Sequence, residues 1–125
     1  MKYLNLMIMG GTSAVTAYLP VPCRGTVKSL KAAFGKAVAA DDTITLSRGA
    51  TAVNTLTTGA TTAGKVYTGT PDSTNKQLVF DPDSSTEANK MIKIAISALA
   101  SASTPVNMTI EYDESAYVTQ EASEA

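Results

Sequence analysis

"KMIKIAISALASASTPVNMTIEY", residues 90–112, decides the fold class. Ile92, Ile94 and Ile96 fall on one side of a strict alternation, with Lys93, Ala95 and Ser97 on the other. Val106, Met108, Ile110 and Tyr112 do the same against Asn107, Thr109 and Glu111. Side chains of a strand point alternately to opposite faces, so both segments read as strands with one dry and one wet face, the pattern of an antiparallel sheet. Between them "ALASASTP" is a connector, and Pro105 suits the first residue of a strand, where its missing N–H costs least.

Working back toward the N-terminus, the same period returns in short pieces separated by turn residues. "TITLSRG" (43–49) points Ile44 and Leu46 inward and ends on Gly49, and "TAVNTLTT" (51–58) is a further strand. "GTVKSLKAAF" (25–34) places Leu30, Ala32 and Phe34 at period two, although Leu30, Ala33 and Phe34 also fit a helical face. "AVTAYLPV" (14–21) is extended and closes on prolines, which suit an edge. "KVYTGT" and "KQLVF" read as strands flanking the turn "PDSTN", Asp41-Asp42 as a polar turn, and "DPDSSTEAN" (81–89) as a loop. About eight or nine short strands and no convincing helix make a single antiparallel all-β domain, a sandwich or barrel.

The N-terminus has two readings. Lys2, "YLNLMIM" and small residues at 14–17 fit a secretion signal, but the apolar run stops at Gly10-Gly11 and Asn5 interrupts it. As a strand, residues 2–9 put Leu4, Leu6 and Ile8 on one face and Tyr3, Asn5, Met7 and Met9 on the other, and this pattern is the better fit. No run approaches the ~20 apolar residues of a membrane span. The chain thus divides into an N-terminal strand or arm over 1–13, a sandwich domain over 14–112 and an acidic tail over 113–125 with four acids and no base.

Composition removes most chemistries. The 125 residues carry ten Lys and Arg against eleven Asp and Glu, without a basic cluster, which argues against nucleic acid as a partner. There is no His and a single Cys, so ordinary zinc, haem or copper ligation, a catalytic His and an internal disulfide are all out of reach. Arg24 beside Cys23 could favour a thiolate, yet a small apolar residue near a strand is the commoner role, and Cys23 is read as structural. "DPDSSTE" spaces oxygen donors at Asp81, Asp83, Ser85 and Glu87 but lacks the glycine and glutamate of an EF-hand loop. Gly10-Gly11 is not followed by the Gly-Lys-Ser/Thr of a phosphate loop, and Asp41-Asp42 point apart. No enzyme and no cofactor is expected.

"YLPVPCRGTVKSLKAAFGKAVAADDTITLSRG" (18–49) is similar to the front half of the small head decoration, or cement, proteins of tailed bacteriophages. The shared pattern is a Pro-containing strand (Pro20–Pro22), Gly-x-Val-Lys (Gly25–Lys28), an alanine-rich turn with aspartates (Ala37–Asp42) and Thr-Ile-Thr-Leu (Thr43–Leu46). Later come Thr70-Pro71 and the proline-led last strand at Pro105, so the resemblance spans roughly residues 15–112. It implies a jelly-roll-like sandwich that forms homodimers or homotrimers on the outside of an icosahedral head. There it would clamp neighbouring major capsid subunits after shell expansion, with assembly taking place in the host cytoplasm. A near-neutral Thr/Ser-rich chain, with 29 such residues, suits pairing by hydrogen bonds and strand addition. Leu4, Leu6, Met7, Ile8 and Met9 are then the candidate interface arm, joined through Gly10-Gly11. The bland reading makes them an ordinary strand of their own sandwich. A second function, a carbohydrate-binding module of a fibre or adhesin, would use Tyr67, Tyr112 and Tyr117 as sugar platforms, against a composition without Trp.

Overall fold

Among the described residues alternation becomes geometry in nine strands. The structure, a computed structural model, describes residues 1–60 and 63–114. The strands are β1 (Lys2–Gly10), β2 (Val15–Pro20), β3 (Thr26–Phe34), β4 (Thr43–Arg48), β5 (Thr51–Thr57), β6 (Val66–Thr68), β7 (Thr70–Pro71), β8 (Met91–Ile96) and β9 (Thr104–Asp113). They form two antiparallel sheets with orders β1-β9-β3-β6 and β2-β8-β4-β5-β7. The two strand orders are those of an eight-stranded jelly roll: β4 and β5 form a hairpin within the second sheet, the other connections of the eight cross between sheets, and the two-residue β7 is an addition to the second sheet. The expected β-sandwich is what the chain folds into.

The core lies between the sheets and is built from the inward positions of the alternating strands. Ile92, Ile94 and Ile96 of β8, Ile44 and Leu46 of β4, Leu30, Ala32 and Phe34 of β3, and Val106, Met108, Ile110 and Tyr112 of β9 are all buried. β9 sits between β1 and β3, and β8 between β2 and β4, so the two most regularly alternating segments are interior strands. The helical alternative for 25–34 loses because β3 has β9 on one side and β6 on the other to satisfy its backbone. A register shift between Val27 and Ser29 bulges β3. Another, running from Leu46↔Asn54 to Ser47↔Ala52, leaves Val53 as the extra residue of β5 and turns both Val53 and Asn54 inward.

Several expectations are corrected. "KVYTGT" is not one strand: Gly69 breaks it into β6 in one sheet and β7 in the other. "KQLVF" forms no ladder, and only Phe80 makes an isolated bridge, to Gly25. Buried Val79 is held instead by its carbonyl, which accepts from Arg48 Nη1 at 2.7 Å. The loop 81–89 ends in a short 3-10 turn at Glu87–Lys90. Asp41 does stand in a turn, with φ of 66°, and its N–H donates to Thr58 O at 2.8 Å.

Gly10-Gly11 is not a loose hinge. Gly10 is the buried last residue of β1, and a Cβ there would lie 2.7 Å from Leu99 Cδ1. Gly11 O accepts from Leu99 N–H at 2.7 Å. The glycine permits close approach of the 98–101 connector, which is a packing requirement.

Candidate functional site

β1 pairs along its whole length with β9, from Lys2↔Tyr112 to Gly10↔Thr104. Leu4, Leu6 and Ile8 are half-buried against the core, while Tyr3, Met7 and Met9 stand outward at 61%, 53% and 49% exposure. Residues 2–10 therefore lie in the sheet of their own sandwich, as its edge, and not as an arm reaching away from it. The boundary drawn at residue 13 cuts through this sheet, and β9 itself continues to Asp113.

The short connection 11–14 carries the chain to β2, the edge of the other sheet, so both edge strands border one flank. From Tyr3 to Cys23 the sequence holds no charged residue, and that run is the signal by which the flank is visible in the sequence. Met1, Tyr3, Met7, Met9 and Tyr18 all lie on it, and among the described residues the one other large exposed hydrophobic, Val66, lies elsewhere. The opposite flank is guarded. Its edges are the three-residue β6 and the two-residue β7, with Pro71 and Lys65 at hand. Short strands, proline and lysine are the usual means of stopping edge-to-edge pairing, and β1 has none of them beyond Lys2 at its start.

The outer face of the first sheet forms a shallow trough of about 490 Å³ lined by Asn5, Lys31, Ala33, Val66, Asn107 and Thr109. Thr109 Oγ1 donates to Asn5 Oδ1 at 2.8 Å, and beyond it Ser29 Oγ donates to Glu111. Amides, hydroxyls and one ammonium suit a neutral polar ligand, but none of the expected sugar platforms lines the trough. Tyr112 is fully buried and its hydroxyl donates to Cys23 O at 2.5 Å and Phe80 O at 3.3 Å. Tyr67 is half-buried edge-on to Phe34, with its hydroxyl on Gly59 O at 2.7 Å, and Tyr117 falls outside the described residues.

Cys23 lies in the bend between β2 and Gly25, only half-buried, and its Sγ donates to Glu114 Oε2 at 3.6 Å. Burial first, then the hydrogen bond and the charge of Glu114, push the thiol above its ordinary value, while Lys2 pulls it the other way. The neutral thiol is the form favoured by the fold, so its contribution is present at neutral pH and fades as pH rises through the thiol range. Alkylation of Cys23 at pH ~8 is therefore expected to be slower than that of a free cysteine, whose pKa is about 8.5. Glu114→Gln should speed it a few-fold and Lys2→Gln should slow it further, as mass spectrometry of iodoacetamide labelling would read. Equal rates in all three proteins would contradict this electrostatic account.

The other chemical candidates disperse. Asp81 pairs with Arg24 Nη1 at 3.5 Å and accepts from Asp83 N–H at 2.9 Å, a locally closed turn. Among the described residues no group of three His, Cys, Asp or Glu could hold a metal ion, and no helix is long and apolar enough to cross a membrane. Fold and surface together define a jelly-roll sandwich, one flank of which carries the long open edge of β1 and a run without charged side chains from Tyr3 to Cys23. Comparison with known proteins yields no match to a family model, a curated protein or a solved structure.

Proposed function

We propose that the chain is a structural virion protein, a decoration protein that binds the outside of an icosahedral phage head and ties major capsid subunits together. The observation that carries this reading is where the resembling motifs fall in the jelly roll. Pro20–Pro22 closes β2, Gly25–Lys28 opens β3, Ala37–Asp42 turns into β4, Thr43–Leu46 is β4 itself, and Pro105 opens β9. The resemblance thus lies on residues that direct the path of the chain, in the order the fold uses them. Jelly rolls serve in viral shells and in lectins alike, so the fold is an argument by analogy only.

A cement protein needs surface spread over repeated partners and no deep pocket. Weak contacts made simultaneously by an oligomer gain ~10²–10⁴ over one contact through effective concentration. The test has two stages: to ask whether a gene beside its own encodes a capsid-fold protein, and then to add the purified chain to expanded, undecorated heads built from that protein. Saturable co-sedimentation and a raised disruption temperature of the heads are expected. A folded chain that does not bind those heads overturns the reading. The polar trough on the first sheet favours the second function, and specific retention on a saccharide array by the same preparation would install it in place of the first.

A further inference from the structure

We infer that two copies of this chain pair antiparallel through their β1 edges, about a two-fold axis at Leu6, joining two four-stranded sheets into one. Among the described residues β1 pairs only with β9, so every second N–H and C=O of a nine-residue strand faces outward without a ladder partner.

The sequence of β1 is complementary to itself in one register. Two antiparallel copies must pair residues of like parity, or the inward Leu4, Leu6 and Ile8 would oppose the outward Met7 and Met9. Of the registers with that parity, the one centred on Leu6, the middle of the strand, pairs all nine residues. It sets Leu6 against Leu6, Leu4 against Ile8, Asn5 against Met7, Tyr3 against Met9 and Lys2 against Gly10. The inward leucines and isoleucine, half-exposed because their edge is open, gain cover from the same residues of the second copy. Tyr3 and Met9 form a sulfur–aromatic pair, and no like charges meet.

Isologous pairing is the usual route to a homodimer, and the same axis brings the two uncharged β2 edges toward one another. The strand is about 30 Å long at ~3.4 Å per residue, and the sheets lie ~10 Å apart. The flank therefore offers about 300 Å² between the sheet planes, and the side chains that extend beyond those planes add to it toward the roughly 800 Å² per partner of a standard interface. A foreign strand could also use the edge, but it would not account for this self-complementarity. The inference concerns the isolated protein and does not depend on the capsid reading, so head binding and dimerisation can fail separately.

The experiment is sedimentation of the purified full chain at tens of micromolar with two outward-face variants. Asn5 of one copy faces Met7 of the other, so Asn5→Lys with Met7→Lys sets lysines opposite each other twice. It should weaken the dimer about a hundredfold or more, since like charges facing across an interface cost several kcal/mol. Asn5→Asp with Met7→Lys sets opposite charges in the same places and should keep the dimer while making it salt-sensitive. Both positions are exposed, and circular dichroism checks that the β-fold is retained. Independently of any variant, residue-resolved hydrogen exchange should show every β1 amide protected in the dimer. A monomeric wild type, equal dimerisation of both variants, or protection of only alternate β1 amides overturns the pairing. Protection completed only when heads are added would reassign the edge to a capsid strand.

Discussion

Deleting residues 1–10 is expected to destabilise the whole domain severely rather than trim an appendage. Leu4, Leu6 and Ile8 cover the core at the β9 side, and burying each is worth about 1 kcal/mol when half complete. The β1–β9 ladder adds its hydrogen bonds at a net ~1 kcal/mol apiece, and its loss exposes the edge of β9 beside Val106, Met108 and Ile110. The total is several kcal/mol against a domain stability of about 5–15. At roughly 4 °C or more per kcal/mol, the melting temperature should fall by ~20 °C, or the transition vanish into aggregation. Circular dichroism melts of the intact and shortened chains decide the matter. A shortened chain melting within a few degrees of the intact one would restore the arm.

The second large effect concerns a contact across the sandwich. Gly69 carries the chain from β6 to β7, and its N–H donates to Leu30 O at 2.8 Å. A Cβ on Gly69 would collide with Asn54 Oδ1, and Leu30 Cβ stands 3.3 Å away behind it. Gly69→Ala should cost about 3 kcal/mol, the upper end of overpacking. Asn54 is 1% exposed, and among the described residues neither its Oδ1 nor its Nδ2 has a hydrogen-bond partner. An amide buried in that state costs about 1–3 kcal/mol, so Asn54→Ala, which loses packing but removes the amide, should change stability by less than ~1 kcal/mol. In the Asn54→Ala background the alanine at 69 should cost under ~1 kcal/mol, a coupling near 2 kcal/mol. Urea unfolding of the four proteins measures the cycle, and additive costs would refute it.

What the sequence makes legible follows from how local each cause is. β8 and β9 announce themselves because six to ten residues of strict alternation need no outside information. The faces of β1 are readable for the same reason, with Leu4, Leu6 and Ile8 inward and Tyr3, Met7 and Met9 outward. Tyr112 was open to the same reading, since it continues the inward phase of Val106, Met108 and Ile110, and that phase outweighs its place near a strand end.

Other features depend on residues far along the chain. "KQLVF" has strand composition, but β7 already takes the outer side of β5, and of these five residues only Phe80 finds a partner, the bridge to Gly25. Gly10 looks like a hinge until Leu99 is laid against it. Asn54 sits in an inward phase that invites an apolar residue, and its conflict with that place is set by Gly69. The uncharged run from Tyr3 to Cys23 is plain in the sequence, yet its meaning as a flank needs the topology that sets β1 and β2 on one side.

Pairing of the first strand with the last also fixes an order of events during synthesis. Leu4 and Ile8 cannot meet Ile110 and Val106 until about a hundred further residues have been made, which takes on the order of 5–20 s at ribosomal speed. Throughout that interval an apolar, uncharged segment hangs from the nascent chain with no cognate strand to receive it. Contacts of such wide sequence separation also place folding in the slow, millisecond-to-second class of all-β domains. The chain therefore passes its most vulnerable moments before the sandwich closes, and the yield of native protein in a cell should depend on chaperones that shelter the emerging N-terminus.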